Sequence, residues 1–282
     1  MSGNSIADSS AVRLPGKVLA QHHTAITLLE EMLAVSKPGN SLDWLDLACG
    51  RGQMITNLEN TIPDGEMRSK IRYLGFDISN DYTREVEKLA ATLKLGAVET
   101  LVGQLDHFPE IVQAEKKFSF ITFTNVVHEL PPTLFGSLLL ELIRRMKPDA
   151  KLYVYDMETL PKPELGAITW DAADVKRLLS FIFKESGGHA LPPTVPRWPH
   201  SSCMAWSINF SRERLDVDAQ RFDQVLPELT AKTTAFIKNM FKEKLQRTIE
   251  ALQEITKYGG QTEEEQKGKI NLLFDFWSLS QL

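Results

Sequence analysis

The sequence predicts a doubly wound, mostly parallel α/β sheet with a C-terminal helical extension, and three observations carry that expectation. Short apolar runs alternate with helical patterns from residue 42 to about 185. A glycine turn, Gly50-Arg51-Gly52, lies between the first apolar run and the pattern that follows it. Beyond residue 210 strand signals give way to apolar residues recurring at three- and four-residue steps. Strands that alternate with helices are connected by crossovers, which makes the strands parallel.

In chain order, residues 1–16 are Ser/Gly/Asn-rich and read as a flexible N-terminus. Val18, Ala25, Leu28, Leu29 and Met32 line one face of a helix that starts near Lys17 and is broken by Lys37-Pro38-Gly39. Strands are expected at Asp43–Ala48, Arg72–Phe76, Phe118–Val127 and Lys151–Tyr155. Helices are expected around Met54–Asn60, Tyr82–Leu95 and Thr133–Met146, the last ended by Lys147-Pro148. A further helix opens at Thr169 or Asp171, carries Val175, Leu178, Leu179 and Ile182, and stops at Gly187-Gly188.

Pro192, Pro193, Pro196 and Pro199 exclude a central strand, because proline cannot donate to a ladder, but Val195–Phe210 suits an edge hairpin. From Phe222 to Ile255 the apolar spacing describes one long amphipathic helix, started or kinked by Pro227 and ended by Gly259-Gly260. Thr262 and Glu265 form a capping box for a final helix carrying Ile270, Leu272, Leu273, Phe276 and Trp277. The partition is a core over 17–210 and an extension over 211–282.

Composition narrows the function. Of 282 residues, 32 are Lys or Arg and 37 Asp or Glu, and the acidic excess lies within residues 1–160, which hold 16 basic against 21 acidic side chains. No segment is basic, which disfavours a partner held through nucleic-acid phosphates. No run reaches the roughly 18 apolar residues of a membrane span, and the N-terminus lacks the pattern of a signal peptide. Two cysteines, Cys49 and Cys203, are too few for a disulfide framework or a thiolate zinc site. The pair His200 and Cys203 has no second dyad beside it, so no metal is expected. These features read as a reduced, cytoplasmic protein.

Leu42–Met54 carries the chemistry: an apolar strand, a glycine turn and a helical start. Glycine lets the backbone approach a ligand at the carboxyl end of a strand, where open α/β sheets bind cofactors. Ile55 stands where a dinucleotide fingerprint has its third glycine, and the Gly-Lys-Ser/Thr of a P-loop is absent. Two carboxylates are left: Asp46, before the turn, and Asp77, ending Tyr73-Leu74-Gly75-Phe76-Asp77. A carboxylate at the end of the second strand can accept from ribose hydroxyls. Asp77 lies 31 residues beyond Asp46, and Pro63-Asp64-Gly65 marks an inserted loop between them.

At these residues the chain resembles the class I S-adenosylmethionine-dependent methyltransferases, over roughly 40–160. Leu45–Gly52 resembles the first motif and Gly75-Phe76-Asp77 the second. Phe120–Leu130 resembles the fourth strand with its turn, and Leu142–Leu152 the helix, turn and fifth strand. The resemblance implies a Rossmann-like fold and S-adenosyl-L-methionine as cofactor. It implies that Asp46, Ala48, Gly50 and Gly52 frame the methionine end, that Asp77 holds the ribose and that Ile78 packs on the adenine. In Gln104-Leu105-Asp106, Gln104 stands where the family often places an acid facing the adenine amino group, so Gln104 or Asp106 is the acceptor there.

A methyl group on a sulfonium is already activated, so direct in-line displacement needs chiefly a positioned acceptor. The resemblance puts Asn125, His128 and Glu129 beside the reacting methyl. His128 is the candidate general base or acceptor-positioning group, since it titrates near neutrality. Glu129 is a second catalytic candidate, and Asn125 suits the methionine amine or the acceptor. Tyr153, Tyr155 and Asp156 end the fifth strand on the same rim, as acceptor-pocket walls or packing. His189, Arg197, Trp198, His200, Cys203 and Trp206 suit an acceptor-facing lid or an edge hairpin. The leading expectation is a small organic acceptor. A protein or RNA acceptor is one alternative, and a cofactor-binding module that homodimerises or docks through its C-terminal helices is another.

Overall fold

The computed structural model describes residues 20–37, 39–56, 58–160, 162–188, 191–200, 203–258 and 262–282. The expected N-terminal tail, the start of the first helix, His189 and Gly259-Gly260 lie outside the described residues. Seven strands form a sheet in the order β3-β2-β1-β4-β5-β7-β6. They are β1 (Leu42–Leu47), β2 (Ile71–Asp77), β3 (Ala97–Val102), β4 (Phe118–Thr124), β5 (Met146–Met157), β6 (Arg197–His200) and β7 (Cys203–Ser211). The pairs β1–β2, β1–β4 and β2–β3 are parallel, while β6 and β7 form an antiparallel hairpin. The α/β fold with its mostly parallel sheet is the expected one.

The chain divides into two compact units. The first comprises the described residues of Met1–Thr124 together with Arg145–Val154 and Phe210–Glu213. Its central strands β1 and β4 are buried almost throughout, as strands of a parallel sheet covered on both faces must be. Helix α1 (Ala20–Val35) buries Ala25, Ile26, Leu29 and Leu33. Two short helices, α2 (Leu58–Thr61) and α3 (Gly65–Ser69), fill the inserted loop. Arg68 secures that loop by donating to the carbonyls of Ile62, Pro63 and Leu93 at 2.6–2.9 Å. Helix α4 (Asn80–Leu93) is capped by Ser79 and buries Thr83, Val86, Ala90 and Leu93 on one stripe. The short α5 (Phe108–Ile111) is held by Arg145, whose buried guanidinium donates to the carbonyls of Pro109, Val112 and Gln113.

Four details differ from the expected elements, the first being that β4 ends at Thr124 and not at Val127, because Asn125 takes a left-handed φ of 58° that ends the extended run. Among the described residues, 50–56 are turns and the short α2 runs from Leu58 to Thr61. Strand β3 has no counterpart among the four expected runs: it is a sheet edge, largely exposed, and carries Glu99 and Thr100. Strand β5 starts at Met146, so Lys147-Pro148 belongs to it; the Lys147 ammonium is held by Asp43 and the Ser119 hydroxyl, which keeps this stretch extended.

The second unit comprises Asn125–Arg144, Tyr155–Asn209 and Arg214–Leu282. It holds α6 (Pro132–Arg144), α7 (Ala172–Glu185), α8 (Ala219–Tyr258) and α9 (Glu263–Ser280). Asp171 caps α7, and the capping box of Thr262 and Glu265 opens α9 as the sequence predicts. Pro227 lies inside α8, which has already begun at Ala219. Phe181 and Phe236 stack at 4.3 Å, and Trp170 meets Phe241 edge-on at 4.7 Å, so α8 buries its aromatic stripe within its own unit. The proline-rich segment supplies the edge strand β6, with Pro199 in it.

Candidate functional site

In the first unit, the parallel strands β1, β2 and β3 place the loops after their carboxyl ends on one edge of the sheet. Ala48, Gly50 and Gly52 all have left-handed φ, at 57°, 52° and 81°. A Cβ on Gly50 would meet nothing within 4 Å, so open space faces that position. One on Gly52 would press on Leu89, Val86 and Ile55 at 3.2–3.3 Å, so glycine is required there for α4 to pack.

Asp77 joins these loops. Its Oδ2 accepts from the Gly50 N–H at 2.8 Å and its Oδ1 from the Ser79 N–H at 2.9 Å, while its carbonyl accepts from the Gly103 N–H at 3.0 Å. The Ile78 N–H also bonds this carboxylate, so three backbone amides converge on Asp77. Burial raises the Asp77 pKa against the lowering effect of these N–H groups. Ile78, the next residue, is 62% exposed, an apolar side chain left facing solvent beside a buried acid. Gln104 is exposed, Leu105 half-buried and opening a 3-10 turn, and Asp106 exposed with His107 Nδ1 at 3.9 Å. The Gly103 bond brings this loop beside Asp77.

Asp46 is nearly inaccessible. Its Oδ1 accepts from the Thr122 hydroxyl and its Oδ2 from the Tyr73 hydroxyl, both at 2.7 Å, and Thr122 in turn accepts from Trp44 Nε1 at 2.8 Å. Burial outweighs those hydrogen bonds and pushes its carboxyl up to about 6. Burial, with Asp46 and Asp77 nearby, also raises the Cys49 thiol, which leaves it a protonated packing group.

The second unit holds the remaining candidates. Asn125 has a left-handed φ of 58°, and its N–H donates to the Tyr155 carbonyl at 3.0 Å. A 3-10 turn at Val127–Glu129 buries His128 and exposes Glu129. Asp156 grips His128 twice, accepting the backbone N–H at 2.9 Å and the ring Nδ1 at 2.7 Å; the Met157 N–H also donates to Asp156. The other ring nitrogen, Nε2, has the Glu164 carboxylate at 4.0 Å. Asp156, Glu129 and Glu164 overcome the opposing effect of burial and push His128 up to about 9, so it carries a proton at neutral pH. The Ile168 N–H donates to the His128 carbonyl at 2.7 Å, which ties the segment after Glu164 to this turn.

Glu164 had no signal in the local sequence: it lies 36 residues beyond His128, in a loop without a motif. Tyr155 faces Trp198 and His200 at 5.8 and 6.3 Å between ring centres, while Arg197 pairs with Glu158 at 2.7 Å. Cys203 is buried and bonds the His200 carbonyl. Among the described residues there is no group of three or more His, Cys, Asp or Glu side chains placed to hold a metal ion, and no helix is long and apolar enough to cross a membrane.

A family model described as a methyltransferase domain matches residues 39–181. Among solved structures, magnesium protoporphyrin IX methyltransferase (ChlM) from Synechocystis PCC 6803 with bound SAH is 12% identical, with a TM-score of 0.51 over 74% of this chain and 95% of that one. The same enzyme with bound SAM gives 14% identity and a TM-score of 0.50, over 74% and 92%. The CurJ carbon methyltransferase is 12% identical, with a TM-score of 0.51 over 67% and 54%. At these identities the likeness is one of fold. No curated protein sequence matches the chain.

Proposed function

The chain belongs to the methyltransferase-domain family and is an S-adenosylmethionine-dependent methyltransferase, and from that premise we propose that its acceptor is a small organic molecule. The observation that carries the assignment of the cofactor residues is Asp77, a buried carboxylate at the end of β2 that accepts from the Gly50 and Ser79 N–H groups and lies beside exposed Ile78. Asp77 would take the ribose hydroxyls, Ile78 the adenine face, and Gln104, Leu105 and Asp106 its edge. The open Ala48–Gly52 turn would frame the methionine end, with Asp46 acting on the ammonium through intervening groups. When bound, S-adenosylmethionine supplies a methyl group already activated on a positive sulfur.

In the same proposal Asn125, His128 and Glu129 serve the acceptor or the amine. A protonated His128, held by Asp156, is suited to donate a hydrogen bond from Nε2 and so to fix the acceptor's reacting atom; it acts as a base only above about pH 9. The absence of a basic segment and the acidic excess of residues 1–160 favour a small acceptor over nucleic acid. A core over 17–210 with an extension over 211–282, and a cytoplasmic location, complete this reading.

Calorimetry tests it: the protein should bind S-adenosylmethionine and its demethylated product, and Asp77→Ala should lose at least tenfold in affinity. Equal binding by the variant would remove Asp77 from the site. A second reading, self-association through the last helix, is favoured by exposed Ile270, Leu273, Phe276 and Trp277 on α9. Concentration-dependent sedimentation that Trp277→Glu abolishes would support it, and a monomer at all concentrations would end it.

A further inference from the structure

His128 lies between two carboxylates of different character. At Nδ1, Asp156 is sealed from solvent and in direct contact at 2.7 Å. At Nε2, the Glu164 side chain is 35% exposed and its Oε2 stands 4.0 Å away, beyond a direct hydrogen bond. No hydrogen bond closes Nε2 among the described residues, although the ring itself is buried. Two polar atoms 4.0 Å apart can both reach one small atom placed between them at ordinary hydrogen-bond distance.

We propose that the space between His128 Nε2 and Glu164 Oε2 seats the acceptor's nucleophilic hydroxyl, with His128 donating to one lone pair of its oxygen and Glu164 receiving its proton. This rests on the methyltransferase reading and adds to it a base and an acceptor class. The proton of the X–H group passes to Glu164 Oε2. The lone pair on X forms the bond to the methyl carbon, while the methyl–sulfur bond breaks and leaves its electron pair on sulfur. The positive charge of the sulfonium is thereby neutralised, and Glu164 is left as a neutral acid.

The charge around the seat sets the class of acceptor. The titratable groups facing His128 are Asp156, Glu129 and Glu164, three carboxylates around one imidazolium. A carboxylate or phosphate acceptor would enter against net negative charge, whereas a neutral hydroxyl would not. Glu164 also lies four residues before Ile168, whose N–H donates to the His128 carbonyl, so the backbone is tied to the turn close to Glu164.

The test uses the full chain with labelled histidine, the His128 resonance being assigned from its loss in His128→Asn. Removing the Glu164 charge in Glu164→Gln should lower the His128 titration midpoint by about one pH unit; an unchanged midpoint overturns the juxtaposition. Phenol should shift the His128 signals of the unsubstituted protein and shift them much less in Glu164→Gln, while benzoate should leave them unmoved. An equal response to benzoate, or an equal response in both proteins, overturns the acceptor class. S-adenosylmethionine binding is measured in parallel and should be equal in both proteins. Its absence from the unsubstituted protein would strike the methyl-transfer reading, whereas the titration and the two probes report on the seat itself.

Discussion

Asp156 accepts two hydrogen bonds from His128, one from its backbone N–H and one from its ring, so a single carboxylate fixes both the turn and the tautomer of the histidine. Charged or neutral, the ring keeps a proton on Nδ1 for Asp156 and turns Nε2 towards Glu164. The folded state favours the charged ring, and the stability this provides is fully present below the unfolded midpoint of 6.5 and lost as pH rises towards about 9. Chemical denaturation at pH 6.5 and pH 9.5 should show the protein losing on the order of 3 kcal/mol that His128→Gln does not lose. Asp156→Asn breaks a buried pair and should cost about 3–5 kcal/mol at pH 6.5.

Asp46 has the opposite sign. Its carboxyl is pushed up to about 6 by burial, so the folded protein binds its proton more tightly than the unfolded chain does. Stability is therefore forfeited as pH rises from 3.8 through about 6. Asp46→Asn should raise unfolding stability at pH 8, by on the order of 3 kcal/mol at most, with no gain at pH 4. If Asp46 acts on the cofactor's ammonium, the same variant should bind S-adenosylmethionine about tenfold more weakly, by calorimetry.

Gly50 and Gly52 separate binding from folding. Gly52→Ala combines left-handed strain with contacts at 3.2–3.3 Å to Leu89, Val86 and Ile55, and should destabilise by about 2–4 kcal/mol in urea melts. Gly50→Ala meets no neighbour and should cost only about 1 kcal/mol of stability. Its larger effect should be on cofactor affinity, because the added methyl enters the open face of the turn.

A close approach on α6 offers a compensation test. A Cβ on Gly136 would come within 2.3 Å of Ile237 Cδ1 on α8. Gly136→Ala should cost about 1–3 kcal/mol. In Ile237→Val the offending methyl is gone, so the second substitution should recover part of that loss, read as a positive coupling in a double-mutant cycle.

The parts of this molecule legible in sequence are those specified locally. The buried runs of β1, β2 and β4, the caps at Asp171 and Thr262 and the Gly50 turn all depend on residues a few positions apart. Strand β3 escaped because an edge strand faces water and loses the apolar run that marks its neighbours. Pro148 is read as an end of structure, yet a proline near the start of a strand sacrifices little of the ladder. At the site, His128 and Asp77 stand in motifs, but their working environment does not. Asp156 reaches His128 across 28 residues, and Glu164 across 36, so only the fold brings these charges together.

Asp77 touches three separate loops through its two carboxylate oxygens and its own carbonyl. Opening one of those loops frees a partner of the same residue, so the Gly50, Ser79 and Gly103 amides belong to one opening unit. A ligand that contacts any single loop should therefore slow hydrogen–deuterium exchange at all three amides together, with closely matched protection, although they are separated by 53 positions along the chain.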